Sequence, residues 1–332
     1  MVVGWATPNP FDCAQGKLRE KATQSRKKTI APAASKIPFV NHNRIVFVAS
    51  LSHSGSTLLD LLLGAHPRMI GLGEIYRVID RSAARLAGEK RMQCTCGRRV
   101  GECIFWNPVI DQLIAMEGAP LSERYARVLS SFGETFGPDA LLVDSSKYLR
   151  ALKLLAQMPA LEVSAIHLLR DVRGFSVSQR KALDAELQYS LLPRFLKSAG
   201  LSRWLYSNTL KRPSYQFWRW YLRNRATSRL LESEQMPHTE LSYEALCAAP
   251  EREMARIYHF LGLEAIDLSQ LAPTSSQSHI FLGNPMIADA GKMTGIRYDD
   301  RWQSQHNWRL AARLFPQIMR YNQEKIYPPS TE

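Results

Sequence analysis

The stretch FVASLSHSGSTLLDLLLGAHP, residues 47–67, carries the densest chemical signal in the chain. An apolar run gives way to small hydroxylated residues around Gly55, and a leucine-rich segment follows. A strand–turn–helix of this kind aims several backbone N–H groups at one point, where the helix dipole adds positive potential. Ser54, Ser56 and Thr57 add hydroxyl donors, so the turn suits a phosphate-like anion. The G-x-x-x-x-G-K-[ST] signature of nucleoside triphosphatases is absent, and with it the lysine and an evident magnesium partner. Without them, transfer of a highly charged γ-phosphate is poorly supported, whereas a less charged sulfuryl group needs less neutralisation.

Group transfer to a hydroxyl also needs a base, cations for the leaving oxygens, and an in-line arrangement. Glu74, in IGLGEIYR, is the first candidate base, because it follows a short apolar strand and should face the same edge as the loop. His66 and Asp144 stand in reserve. Arg170 ends an apolar run and Ser178 lies eight residues on, about two turns into a helix. Such a pair can converge on a phosphate, the guanidinium supplying a fork of donors. The other reading of Arg170 is a salt bridge to Asp171 or Asp144. Lys292 and Arg297, in AGKMTGIR, could close over nucleotide phosphates or be a solvated charge pair.

These residues need elements to hold them. RIVFVAS (44–50) reads as a buried strand, followed by the loop and a helix of two to three turns ending at Gly64 and Pro67. A second strand lies near 69–72, followed by one helix in GEIYRVIDRSAARLAG. Helices near 107–117 and 121–136 precede a strand at Ala140–Val143. YLRALKLLAQM is helical, LEVSAIHLLRD is a strand ending at Leu169, and VRGFSVSQRKALDAEL is helical. Residues 190–235 read as helical and rich in Trp, Tyr and Arg; HTELS is a last short strand, and a helix spans about Gln305–Tyr321. The alternation predicts an α/β fold, a three-layer sandwich around a mostly parallel sheet. Ligands then sit beyond the carboxyl ends of the strands, where Ser52–Thr57, Asp144–Lys147 and Arg170–Ser178 all fall.

Composition sets the outer bounds. The 332 residues are 45% apolar, enough for one packed domain, and no apolar run approaches the length of a membrane span. The net charge of +13 points to anionic substrates, an anionic membrane face or nucleic acid. No interleaving of aromatic and basic residues supports nucleic acid. Residues 1–42 read as a flexible basic arm, since the first forty carry seven Lys and Arg against Asp12 and Glu20; residues 43–332 read as the folded domain. The N-terminus has no apolar signal core, which predicts a cytoplasmic protein with, at most, peripheral contact with an anionic membrane. Cysteines 94, 96 and 103 fall in an insertion at about 88–106. Their C-x-C spacing and the lack of a His nearby in sequence argue against zinc, so no metal is expected; plain structural cysteines and an oxidisable pair are the other readings.

SLSHSGSTLLDLLLGAHP resembles the 5′-phosphosulfate loop of sulfotransferases that use 3′-phosphoadenosine 5′-phosphosulfate (PAPS). LLRDVRGFSVSQRK is similar to that family's 3′-phosphate element, with Arg170 and Ser178 at the family's spacing, and LSYEAL…FLGL resembles a third landmark that maps to Tyr243. DSSK at 144–147, SHIFLGNPM at 278–286 and the cysteine insertion resemble features of its carbohydrate- and bacterial-type branch. The resemblance implies the P-loop-like sulfotransferase fold and PAPS as donor, without a metal. It implies cofactor contacts from Ser52, His53, Ser54, Gly55, Ser56, Thr57, Leu58, Arg170, Ser178 and Tyr243, and a catalytic set of Glu74, His53 and Lys147. His53 replaces the Lys or Arg usual before the turn; an anion beside it should favour the imidazolium. The motifs do not fix the hydroxyl acceptor; a glycan or glycolipid is the favoured reading, with peptide tyrosine or a small metabolite as alternatives. WRWYLRNR (218–225) could stack on a sugar or line a lipid cleft, or be core and surface of an amphipathic helix. The competing functions are a P-loop kinase using ATP and magnesium and a nucleotide-binding protein without chemistry.

Overall fold

The apolar run Arg44–Ser50 forms the middle strand, β1, of a five-stranded sheet ordered β2-β3-β1-β4-β5, every neighbouring pair parallel. The other strands are β2 (Met69–Gly73), β3 (Leu141–Lys147), β4 (Glu162–Leu169) and β5 (His238–Ser242). The computed structural model describes residues 43–189, 209–268, 277–283, 296 and 298–328, all within the unit Ile37–Glu332. The basic arm, Lys292 and Arg297 lie outside the described residues.

Both faces of the sheet are covered, which is why its strands read as near-continuous apolar runs. Along β1, Ile45, Phe47 and Ala49 pack into one core with Trp106, Tyr125 and Leu152. Val46 and Val48 point the other way, to Leu59, Leu63, Met254 and Ile257. The first core is capped by α2 (Ile75–Ile79), α3 (Ala83–Glu89), α4 (Trp106–Ala115), α5 (Leu121–Phe136) and α6 (Leu149–Ala156). The second is covered by α1 (Ser56–Leu63) and later helices α9 (Tyr243–Ala248) and α10 (Pro250–Phe260). A third core joins α7 (Val172–Tyr189), α8 (Pro213–Ser233), α11 (Arg309–Leu314) and α12 (Pro316–Ile326) through Phe175, Phe217, Trp220 and Ile318. This is the three-layer α/β sandwich expected from the alternation.

Three boundaries differ from the sequence reading. The helix expected over GEIYRVIDRSAARLAG is two helices, broken at residues 80–82. The C-terminal helix is likewise split, because Pro316 cannot donate an N–H to the preceding turn and starts a new helix instead. Strand β3 runs four residues past Val143, through DSSK, because the register against β1 shifts between Phe47 and Ala49 and lets the polar residues stay in the ladder. That extension carries Lys147 to the carboxyl edge of the sheet.

Candidate active site

The turn between β1 and α1 is held by a hydrogen bond from the Ser54 N–H to the Leu51 carbonyl, 3.2 Å. Gly55 takes a left-handed conformation, φ 93°, and the Tyr243 ring packs against it so closely that a Cβ would lie 2.5 Å from Cδ2. Only glycine satisfies both demands. The Leu59 N–H is the first in α1 to find a helical acceptor, the Gly55 carbonyl, 3.0 Å away. Those of Ser56, Thr57 and Leu58 precede it and have no partner within the helix. Leu58 can offer only that N–H, because its side chain is buried in the core.

Among the described residues three non-glycine residues have positive φ, and two of them, His53 and Lys147, both at 68°, stand in the turn after β1 and at the end of β3. Left-handed backbone at a side-chain-bearing residue costs about 1 kcal/mol or more and persists where the surroundings impose it. Here it turns two basic side chains into one region. The Lys147 ammonium binds Glu74 Oε1 at 2.7 Å, and Arg77, one helical turn after Glu74, binds Oε2 at 2.8 Å. Burial pushes the Glu74 carboxyl up, but Lys147 and Arg77 outweigh it, so the group is held below its usual range and stays ionised. Thus the sequence candidates Glu74 and Lys147 meet in a buried ion pair. His53 is not assisted toward the imidazolium by its protein neighbours: burial, then Lys147, Arg170 and Arg219, all hold it below its usual value.

Asp171 starts α7 by accepting the Arg173 N–H at 2.7 Å, and this sets the helix that carries Ser178. Arg170, just before it, is buried. Its Nη1 donates to the His53 carbonyl at 2.9 Å, tying β4 to the loop, and its guanidinium lies 4.7 Å over the Tyr243 ring. Its ion-pair partner is neither Asp171 nor Asp144 but Asp299, at 2.8 Å from Nη2 to Oδ2. Ser178 Oγ approaches the same Oδ2 at 3.4 Å, and Arg301 donates to both carboxylate oxygens at 2.6 Å. The Asp299 N–H donates to the Tyr243 hydroxyl at 3.2 Å. Arg170 Nε is buried without a hydrogen-bond partner among the described residues. Arg170, Ser178 and Tyr243 therefore surround one anionic position, and a carboxylate of the chain itself occupies it.

The reserve bases do not reach this place. His66 lies before the amino end of β2, at the far edge of the sheet, accepting the Arg68 N–H through Nδ1, its ring tilted against Tyr258 with centroids 5.0 Å apart. Asp144 is fully buried, with Oδ2 taken by the Tyr125 hydroxyl at 2.8 Å and Oδ1 by the Ser146 N–H at 2.8 Å and the Ser146 hydroxyl. Arg77, Gln179, Asp299 and Arg301 escaped the sequence reading. Gln179 supports the loop by donating to the Ser52 carbonyl at 2.8 Å. The i, i+3 spacing from Glu74 could have flagged Arg77. In WRWYLRNR, Trp220 is core and donates Nε1–H to the Arg170 carbonyl at 2.9 Å, while Trp218 packs edge-on to Phe315.

The fold is similar to the sulfotransferase domain of the olefin synthase of Synechococcus PCC 7002, at 18% identity and a TM-score of 0.50, covering 83% of this chain and 95% of that one. A sulfotransferase domain from the curacin biosynthetic pathway is also similar, at 16% identity and a TM-score of 0.48, covering 82% and 98%. No curated protein matches the chain. The family model described as the sulfotransferase family matches residues 46–267, more than half the sequence and all the strands of the sheet but the first residues of β1, and the chain belongs to that family.

Proposed function

We propose that this protein transfers the sulfuryl group of PAPS to a hydroxyl of an acceptor, leaving adenosine 3′,5′-bisphosphate (PAP) and a sulfate ester. The observation that carries the reading is the convergence of Arg170 and Ser178 on a single carboxylate oxygen, beside a loop whose first helix N–H groups have no acceptor within the helix. That pattern fits a ligand with two anionic groups, one at the loop and one where Asp299 now sits. Bound PAPS would supply an activated sulfuryl group on a phosphate leaving group. The chain's own part is to hold and neutralise. The N–H groups of Ser56, Thr57 and Leu58 and the hydroxyls of Ser54, Ser56 and Thr57 receive the 5′ end, while Arg170 and Ser178 exchange Asp299 for the 3′-phosphate. Lys147 and His53 face the region where charge develops on the leaving oxygen. Glu74, ionised by its two cations, accepts the hydroxyl proton at a carboxylate oxygen that exchanges Lys147 for the acceptor.

A glycan or glycolipid is the favoured acceptor. Its support is the exposed strip of Tyr215, Trp218 and Leu222 on one face of α8, an amphiphilic surface of the kind that meets sugar rings or acyl chains. The test is thermal stabilisation by PAP against ATP with and without magnesium, followed by transfer from labelled PAPS into an extract. Stabilisation by PAP and a labelled product are expected. Selective stabilisation by ATP with magnesium would favour a kinase, and PAP binding without any turnover would favour a binding protein.

A further inference from the structure

The cysteine insertion acquires a fourth donor that its sequence does not show. Between α3 and α4 the chain folds back through an antiparallel bridge, Gln93 to Arg99, and a turn closed by the Gly97 N–H on the Cys94 carbonyl at 3.0 Å. Gly97 sits at φ 84°, so the CTCG turn needs its glycine. The turn presents Cys94 and Cys96, and the short 3₁₀ helix Val100–Glu102 returns Cys103 to the same spot. His279 arrives from a segment 176 residues further on and places Nδ1 3.1 Å from Cys103 Sγ. The three sulfurs and the imidazole nitrogen all lie within 4.8 Å of one another.

We propose that Cys94, Cys96, Cys103 and His279 form a structural zinc site. Tetrahedral zinc with bonds of about 2.3 Å to sulfur and about 2.0–2.1 Å to nitrogen puts neighbouring donors roughly 3.4–3.8 Å apart. The Cys94 and Cys103 sulfurs are 3.9 Å apart, so small shifts close the cage. Cys94, Cys103 and His279 are buried and Cys96 is half-buried, and three sulfurs beside one imidazole are the donor set of a closed Cys₃His centre. The Trp106 N–H donates to Cys103 Sγ at 3.3 Å, the kind of outer hydrogen bond that orients a thiolate ligand. With four protein ligands the ion has no open position for substrate, so its role is to hold the fold.

What it holds is the backbone behind Glu74. Thr95, between two of the cysteines, clamps residues 278–280: its hydroxyl donates to the Ser278 carbonyl at 2.6 Å, and its N–H to the Ile280 carbonyl at 2.9 Å. The same segment covers the free edge of β2, with the His279 N–H on the Gly71 carbonyl at 2.7 Å and the Gly71 N–H on Ser278 Oγ at 3.0 Å. Trp106 Nε1 donates to the His279 carbonyl at 2.5 Å. Gly73, next to Glu74, has no room for a Cβ because Ile280 and the Leu282 carbonyl press on it. The ion thus staples the insertion and a distant loop to the strand that ends at the candidate base.

The test uses the full chain, purified anaerobically without chelator from zinc-supplemented medium. Elemental analysis is expected to find about one zinc per chain, the stoichiometry of a closed four-ligand site. Chelator-stripped, reduced protein given Co²⁺ is expected to develop thiolate-to-cobalt charge-transfer absorption and intense tetrahedral d–d bands. Cys103→Ser should lose both signals, and Cys247→Ser should keep both. Should Cys103→Ser fail to fold, the wild-type zinc content and Co²⁺ spectrum decide alone. Less than about a tenth of an equivalent of zinc, together with no charge-transfer band on Co²⁺ addition, overturns the proposal. So does a Cys94–Cys103 disulfide in the protein as purified.

Discussion

Asp299 is expected to act as an internal competitor of the nucleotide, so removing its charge should tighten binding. In the structure its Oδ2 takes the Arg170 Nη2 donor at 2.8 Å and the Ser178 hydroxyl at 3.4 Å, the two groups assigned to the 3′-phosphate. A ligand phosphate must first break that pair. Arg170 is 6% exposed and Asp299 20%, so the contact is largely shielded from water. A charged hydrogen bond of this kind is worth about 1.5–3 kcal/mol net, which converts to roughly 10- to 150-fold in Kd. Asp299→Asn keeps the size and the backbone N–H to Tyr243 while removing the carboxylate. Titration calorimetry with PAP should therefore show tightening within that range, and adenosine 5′-phosphosulfate, which lacks the 3′-phosphate, should be unaffected. Acid cannot mimic the substitution. Burial raises the Asp299 pKa, but hydrogen bonds and charges from Arg301 and Arg170 pull it well below the carboxylate range, so the group stays ionised across about pH 5–8. The complementary change, Arg170→Ala, should weaken PAP by roughly 2–4 kcal/mol and the phosphosulfate far less. An Asp299→Asn protein that binds PAP no tighter, or gains equally for both ligands, would refute the competition and with it the assignment of Arg170 and Ser178 to the 3′-phosphate.

Glu74→Gln should lower kcat about 10²- to 10⁴-fold, the usual worth of a general base, with PAP affinity nearly unchanged; near-normal turnover in a folded variant removes Glu74 from the mechanism. Because burial and its cationic neighbours hold His53 below its usual pKa and a bound anion raises it, PAP binding should take up a proton and strengthen as pH falls toward about 5.5, a slope that His53→Gln should abolish. Asp60 is buried beside Ser145 and pushed up to about 7, chiefly by burial, so the folded state binds an extra proton between the usual carboxylate value and neutrality. Stability should then fall as pH rises from about 4 to 7, and calorimetry should find the decline reduced in Asp60→Asn. Deleting residues 1–42 should leave turnover of a small soluble acceptor unchanged while reducing salt-dependent adsorption to anionic vesicles; a folded truncation that loses turnover contradicts this.

The alternation of apolar runs with amphipathic stretches determined the layers, because a strand buried on both faces and a helix buried on one leave different periods in the sequence. The loop was legible for a similar local reason: a small-residue turn between strand and helix has few backbone solutions, and Gly55 marks the one taken. The spacing from Arg170 to Ser178 was equally local, two turns of a single helix. Tertiary structure alone decided who neutralises whom. Nothing near Arg170 in sequence announces Asp299, 129 residues away, because Asp299 comes from an irregular segment after the last strand that meets the end of β4 only in the folded chain. Likewise His53 and Lys147 are brought together by the pairing of β1 with β3, and their left-handed backbones follow from the ladder's register shift and the turn, not from their side chains. The cysteine insertion makes the point most sharply. Its three thiols are readable within ten residues, yet the imidazole that completes the donor set comes from the segment laid on the edge of β2, a contact that exists only once the sheet has formed.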